Sequence, residues 1–208
     1  MIPVKVLAVR YLANASPGLC RELGAPEGYP ALGLLTTDCD DATYIALDEA
    51  TKAAEVEVAY GRSFYAGAAN ASTPYAGEVI GILAGRTPGA VRSGMEAALA
   101  ALQRIGFQDV NGVPFLAHTV SSAGSFLASE AGVKTGTPLA YLIAPPLEGM
   151  FAMDAAMKAA DVRLCKLYAP PSQTNFGGGL LSGTQSACNA ACAAFAAAVA
   201  EVTQRPRE

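Results

Sequence analysis

Tryptophan is absent from this chain of 208 residues, histidine occurs once, and aromatic residues make up only 7 %. A lone His118 cannot build a multi-histidine zinc site, and it leaves Ser121, Ser122 and Ser125 without a plausible base for nucleophilic catalysis. Charge is scarce as well. Charged residues are 15 % of the chain, the net charge is −4, and no basic run occurs, so the footprint of a nucleic-acid-binding protein is missing. The five cysteines (Cys20, Cys39, Cys165, Cys188 and Cys192) are an odd number without a CxxC pair, which predicts free thiols in a reducing compartment. Cys188 and Cys192, four apart on an alanine-rich helix, are read as small buried thiols rather than metal ligands. Residues 1–16 alternate and lack the uninterrupted apolar core of a signal peptide. The most apolar stretch, residues 187–202, is mostly alanine and contains Asn189 and Glu201, short of a membrane span. A cytosolic protein is expected. Residues 178–184 (GGLLSGT) have the spacing of a phosphate-binding loop, but Thr184 stands where the lysine belongs. No catalytic constellation and no metal site survive.

What the chain does have is small apolar residues and an internal repeat. Apolar residues reach 52 %, much of it alanine, and 21 glycines accompany them. Such a composition suits close subunit packing as well as a core. Residues 45–58 (IALDEATKAAEVEV) recur as 151–164 (FAMDAAMKAADVRL) with seven of fourteen positions identical. The pairs are Ala46 and Ala152, Asp48 and Asp154, Ala50 and Ala156, Lys52 and Lys158, Ala53 and Ala159, Ala54 and Ala160, and Val56 and Val162. An offset of 106 residues is too long for a solenoid unit of roughly 20–50 residues. Two small domains in tandem, residues 1–105 and 106–208, are the economical reading.

Alternation predicts strands over 4–11, 31–36, 55–60 and 78–83 in the first half. In the second half it predicts strands over 113–120, 139–143, 162–167 and 180–181. Helices are expected after the acidic turn of residues 38–41, after Thr87 with Pro88 at the first helical position, over 154–160, and at the C-terminus. The C-terminal helix carries Cys188, Cys192, Phe195 and Val199 on one face. Matching Val91 with Cys188 gives an offset of 97, so the first copy has about nine extra residues, assigned to the Gly/Ala/Asn/Ser/Pro loop of residues 61–75. Each half is strand, strand, helix, strand, strand, helix: α+β, an antiparallel sheet flanked by helices.

The Lys-Ala-Ala-x-Val segment between a helix and a strand resembles the bacterial microcompartment shell domain. Residues 38–68 (DCDDATYIALDEATKAAEVEVAYGRSFYAGA), 76–85 (AGEVIGILAG), 140–148 (AYLIAPPLE) and 186–191 (SACNAA) narrow the resemblance to ethanolamine-utilization shell proteins of the EutL type. It covers nearly the whole chain. It implies two circularly permuted shell domains, three chains in a pseudohexameric tile, and tiles packed edge to edge around ethanolamine-degrading enzymes. It also implies a gated central pore and small pores within each subunit. The chain would then be structural and not an enzyme. A soluble cobalamin- or amine-binding protein of the same pathway is the alternative.

The resemblance also assigns residues. Asp40, Asp41 and Glu148 match acidic groups that line the small pore and hold an amine such as ethanolamine through charge-assisted hydrogen bonds. From spacing alone, residues 38–41 read first as a cap on the following helix; the resemblance brings the pore role level with it, and both roles can coexist. Glu78, Phe107 and Thr174 match positions near the central axis or an adjacent pocket where some relatives bind cobalamin; a strand-edge charge and a core aromatic are the plain readings of the first two. Gln173 stands where relatives commonly carry Glu. Lys52 and Lys158, kept in both copies, are expected at the tile edge.

Overall fold

The computed structural model describes residues 1–64, 77–170 and 172–207. Of the loop expected over 61–75, residues 65–75 lie outside the described residues, and residues 61–63 are not loop but the end of a strand. Two compact units emerge. The amino-terminal unit comprises Pro3–Gly106 together with Gly124–Leu127; the carboxy-terminal unit comprises Met1–Ile2, Phe107–Ala123 and Ala128–Glu208.

In the amino-terminal unit the order is β1 (Val6–Leu12), α1 (Pro17–Glu22), β2 (Ala31–Thr37), α2 (Asp40–Ala53), β3 (Val56–Ser63), β4 (Val79–Gly85) and α3 (Pro88–Leu102). The sheet runs β1-β2-β4-β3, antiparallel throughout. Period-two alternation divides its faces. Gly33 and Gly81 point at the helices: a Cβ at Gly33 would meet Val91 and Met95, and one at Gly81 would meet Leu47. Leu32, Ile82 and Ala84 point the other way, into a second cluster with Ala15, Cys20, Leu23 and Tyr29. Thr87 caps α3 by accepting the Ala90 N–H at 3.2 Å, with Pro88 at the first position.

The carboxy-terminal unit repeats the plan with β5 (Gln108–Val110), β6 (Val113–Val120), α4 (Ser125–Ala131), β7 (Leu139–Ala144), α5 (Pro146–Ala159), β8 (Val162–Tyr168), β9 (Gly177–Gly183) and α6 (Gln185–Gln204). The first three residues of α4 group with the amino-terminal unit. The sheet order is β5-β6-β7-β9-β8. Its core joins Phe115, Leu142 and Leu181 to Met153 of α5 and to Cys188, Cys192, Phe195 and Val199 of α6. α6 is long and apolar enough for a membrane span by length and composition alone. Here it buries one face on the sheet.

The antiparallel α+β reading matches what is observed; β3 runs on to Ser63 beyond the expected 55–60, the short strand β5 was not expected, and two further elements begin well before their expected starts. α5 begins at Pro146, not Asp154, because proline suits the first helical turn, where no N–H is needed. β9 begins at Gly177, and the phosphate-loop spacing of residues 178–184 is a sheet strand leading into α6. A bulge falls between Val58 and Tyr60 and again between Leu164 and Lys166, so even the irregularity is duplicated.

Candidate ligand and assembly sites

An acidic cluster forms at one end of the amino-terminal sheet. β2 and β4 pair with Thr37 opposite Val79, and the Glu78 N–H donates to the Thr37 carbonyl at 2.9 Å. That pairing brings Glu78 to the acidic turn. Asp40 and Asp41 are buried in the first turn of α2, where Asp40 Oδ1 accepts the Asp41 N–H at 2.9 Å. Asp38 sits outside and accepts the Lys5 N–H at 2.7 Å. Capping of α2 is shared differently from the sequence reading. The cap residue is Cys39, without a side-chain cap bond. Thr37 Oγ1 accepts the Cys39 N–H at 3.1 Å and lies 2.7 Å from Thr43 Oγ1.

The electrostatics follow from burial and crowding. Burial pushes the Glu78 carboxyl up, and Asp40 and Asp38 push it further. The Cys39 thiol rises above the usual range through burial, with Asp41, Asp40 and Glu78 adding to it. Tyr44, hydrogen-bonded to Ser63 at 2.7 Å, is pushed up to about 12, first by burial and then by Asp40 and Asp41. Each group registers the same negative field. Among the described residues no group of three or more His, Cys, Asp or Glu side chains is placed to hold a metal.

Of the other expected site residues, Glu148, Phe107, Thr174 and Lys158 belong to the carboxy-terminal unit and Lys52 to the amino-terminal one. Glu148 lies half-buried in the first turn of α5. Phe107 packs edge-on against Phe176 at 5.6 Å, and Thr174 occupies the turn just before Phe176. Lys158 is largely exposed and pairs with Asp154 at 2.6 Å. Lys52 contacts Glu49 and lies 4.0 Å from Asp48 Oδ2.

Sequence reasoning missed Asp48. Its side chain is fully buried, Oδ2 accepts the Gly124 N–H at 2.7 Å, and Oδ1 accepts the Leu127 N–H at 2.8 Å. Thr51 Oγ1 accepts the Ser125 N–H at 3.1 Å beside it. The available signal was the recurrence of this aspartate in both copies, to which no role was attached.

Two copies of one small α+β plan, each carrying an Asp-x-x-x-Lys helix over its sheet, define a tandem shell-domain protein. The BMC domain model matches residues 31–113, beginning at β2. The chain is 54 % identical over 210 residues to the bacterial microcompartment shell protein EutL of Clostridium perfringens, across 99 % of the chain and 97 % of that relative. It is 50 % identical to EutL of Salmonella typhimurium, across 99 % and 96 %. The crystal structure of the ethanolamine utilization protein EutL from Leptotrichia buccalis superposes with a TM-score of 0.95 at 55 % identity, covering 100 % of this chain and 97 % of that one. The chain belongs to the EutL family of bacterial microcompartment shell proteins. Its place is therefore the microcompartment shell, and the family's role is structural.

Proposed function

We propose that three copies close into a flat pseudohexagonal tile in a cytoplasmic microcompartment, and that the tile admits small metabolites rather than transforming them. A gated central pore and a small pore within each subunit are the passages. The observation that carries the permeation reading is the acidic cluster of Asp40, Asp41 and Glu78. Two of its members are buried, and Glu78 is raised first by burial and then by the neighbouring Asp40 and Asp38 carboxylates. An ammonium-bearing solute such as ethanolamine relieves that field and gains charge-assisted hydrogen bonds. Glu148 is assigned to the same small pore by family resemblance. Family resemblance groups Phe107 and Thr174, together with Glu78, near the central axis or an adjacent cobalamin-type pocket.

Calorimetry with ethanolamine tests the reading. Wild type is expected to bind, and Asp40→Asn combined with Glu148→Gln to lose binding; equal binding by both removes these carboxylates from the site. The cation lowers the raised pKa of Glu78, so binding just above the usual glutamate range releases protons. The apparent enthalpy should then change with the ionisation enthalpy of the buffer. A wild type that stays monomeric at every concentration and forms no sheets under the electron microscope removes the shell assembly itself.

The tile edge is tested with Lys52→Ala plus Lys158→Ala. Glutamate at position 52 would add a third carboxylate beside Asp48 and Glu49, so alanine is the cleaner change. Sheets are expected to disappear while the trimer persists. Unchanged sheets mean that these lysines do not lie at the edge.

A further inference from the structure

Of the asparagines in this chain, Asn111 alone is followed by glycine, and no aspartate is. The pair forms the centre of the hairpin between β5 and β6. Val110 pairs with Val113, and φ is positive at both central residues, +54° at Asn111 and +82° at Gly112. This is the mirror-image turn for which Asn-Gly is the favoured sequence. Both residues are exposed, and a Cβ at Gly112 would meet nothing within 4 Å, so the Gly112 nitrogen is not shielded by packing.

Two contacts hold the tip of this hairpin. Asn111 Nδ2 donates to Thr203 Oγ1 at 3.0 Å, and Asp109 Oδ1 accepts the Gly112 N–H at 3.1 Å. Thr203 lies in the last turn of α6 and gives its one hydroxyl proton to the Ala200 carbonyl at 2.8 Å. Thr203 therefore receives a hydrogen bond here and has none to return. Whatever it holds must be a donor, which an amide is and a carboxylate is not.

The groups tied down in this way are those of an asparagine's own side reaction. The Gly112 nitrogen attacks Asn111 Cγ; as the N–Cγ bond forms, the Cγ–Nδ2 bond breaks, and the amide leaves as ammonia with the proton of the attacking nitrogen. Water then opens the five-membered imide at either carbonyl. The product at position 111 is aspartate, or isoaspartate with the main chain routed through the former side chain. Glycine leaves the attacking nitrogen open because it has no Cβ. While Nδ2 is held by Thr203 and the Gly112 N–H by Asp109, the reacting groups are engaged elsewhere, so attack requires the tip to come off α6.

We propose that Asn111–Gly112 is a self-modification site of the folded chain, a deamidating turn timed by how often the Asn111 amide leaves Thr203. The change runs one way. A carboxylate at position 111 has no proton for Thr203 and adds a negative charge close to Asp109, so the tip does not dock again. Isoaspartate goes further, because its extra main-chain atom breaks the pairing of Val110 with Val113. β5 is the outermost strand of its sheet, so the reaction loosens an edge rather than the core. The inference is independent of the tile and pore readings.

Ageing of the full chain at neutral pH tests it, followed by mass spectrometry of the tryptic fragment 105–134, in which Asn111 is the sole asparagine. The fragment should gain the mass of an NH-to-O exchange and become a methyl acceptor for an isoaspartyl methyltransferase, while fragments carrying the other asparagines lag behind it. Thr203→Val keeps the side-chain shape and removes the acceptor. It should speed the reaction of the folded protein about fivefold, the factor that one ordinary hydrogen bond represents. In urea, wild type and variant should react at one common, faster rate, and Asn111→Gln should show no gain in either state. A folded wild type whose fragment stays unmodified while the unfolded chain reacts completely overturns the site. Equal folded-state rates for wild type and Thr203→Val overturn the timing by Thr203.

Discussion

Alanine in place of Asp48 is expected to destabilise the amino-terminal unit by about 2–4 kcal/mol, because two buried N–H groups lose a charged acceptor. Their donors, Gly124 and Leu127, are themselves buried, so water does not readily take the place of the carboxylate. The loss should appear as a lower urea midpoint and as faster hydrogen exchange at the amides of Gly124 and Leu127, with exchange in β2 and β4 changed less. Asp154→Ala is the control: among the described residues, the same residue in the second copy pairs with exposed Lys158, a contact worth well under about 1 kcal/mol. An equal loss from both substitutions would show that the bonds to residues 124 and 127 contribute nothing beyond a surface charge.

The same residue gives a pH dependence whose sign is fixed. Burial raises the Asp48 carboxyl despite the two N–H donors, which oppose the shift. A carboxyl with a higher pKa folded than unfolded binds more protons in the native state, so stability falls as pH rises from about 3.9 through the folded value. Above that window its contribution is constant. Asp48→Asn should remove this component, and the difference between the urea midpoints of wild type and variant should change across the window and flatten above it. A difference independent of pH would show that Asp48 is not raised.

Elements defined by local chemistry were legible. Alternation marked the strands, and Thr87 before Pro88 marked α3. Features made by distant pairing were not. Glu78 joins Asp40 only because β4 pairs with β2, and Asp48 meets partners 76 residues away. The start of α5 was also missed: the repeat marked only residues 154–160, whereas the helix begins at Pro146, where a proline fits the first turn. The acidic turn was found as a motif: Asp40 and Asp41 do occupy the first turn of α2, while the corner before it is made by Thr37 and the Cys39 backbone, a detail the spacing did not show.

Gly178→Ala should be more damaging still, because the cost is backbone against backbone. A Cβ there would lie 1.9 Å from the Leu142 carbonyl oxygen, 2.8 Å from its carbon and 3.0 Å from the Ile143 Cα, all on the adjacent strand β7. No rotamer relieves such a contact. Either β7 and β9 separate, breaking the pairing of Ile143 with Gly178, or β9 twists away from β8, where Gly178 faces Tyr168. A loss above about 4 kcal/mol is expected, enough to deplete the soluble protein. Gly112→Ala is the comparison without a clash: its φ of +82° also lies where L side chains rarely sit, but nothing lies within 4 Å, so about 1–2 kcal/mol is expected. A Gly178→Ala protein as soluble and stable as the Gly112→Ala one would refute the close approach. The approach also serves the site. A Cβ at Gly149 on α5 would come within 2.7 Å of the Gly177 carbonyl, so this end of β9 must stay flat for α5 to lie against the sheet. Glu148 and Lys158 ride on that helix, and glycines that resemble a phosphate loop in sequence set where both are held.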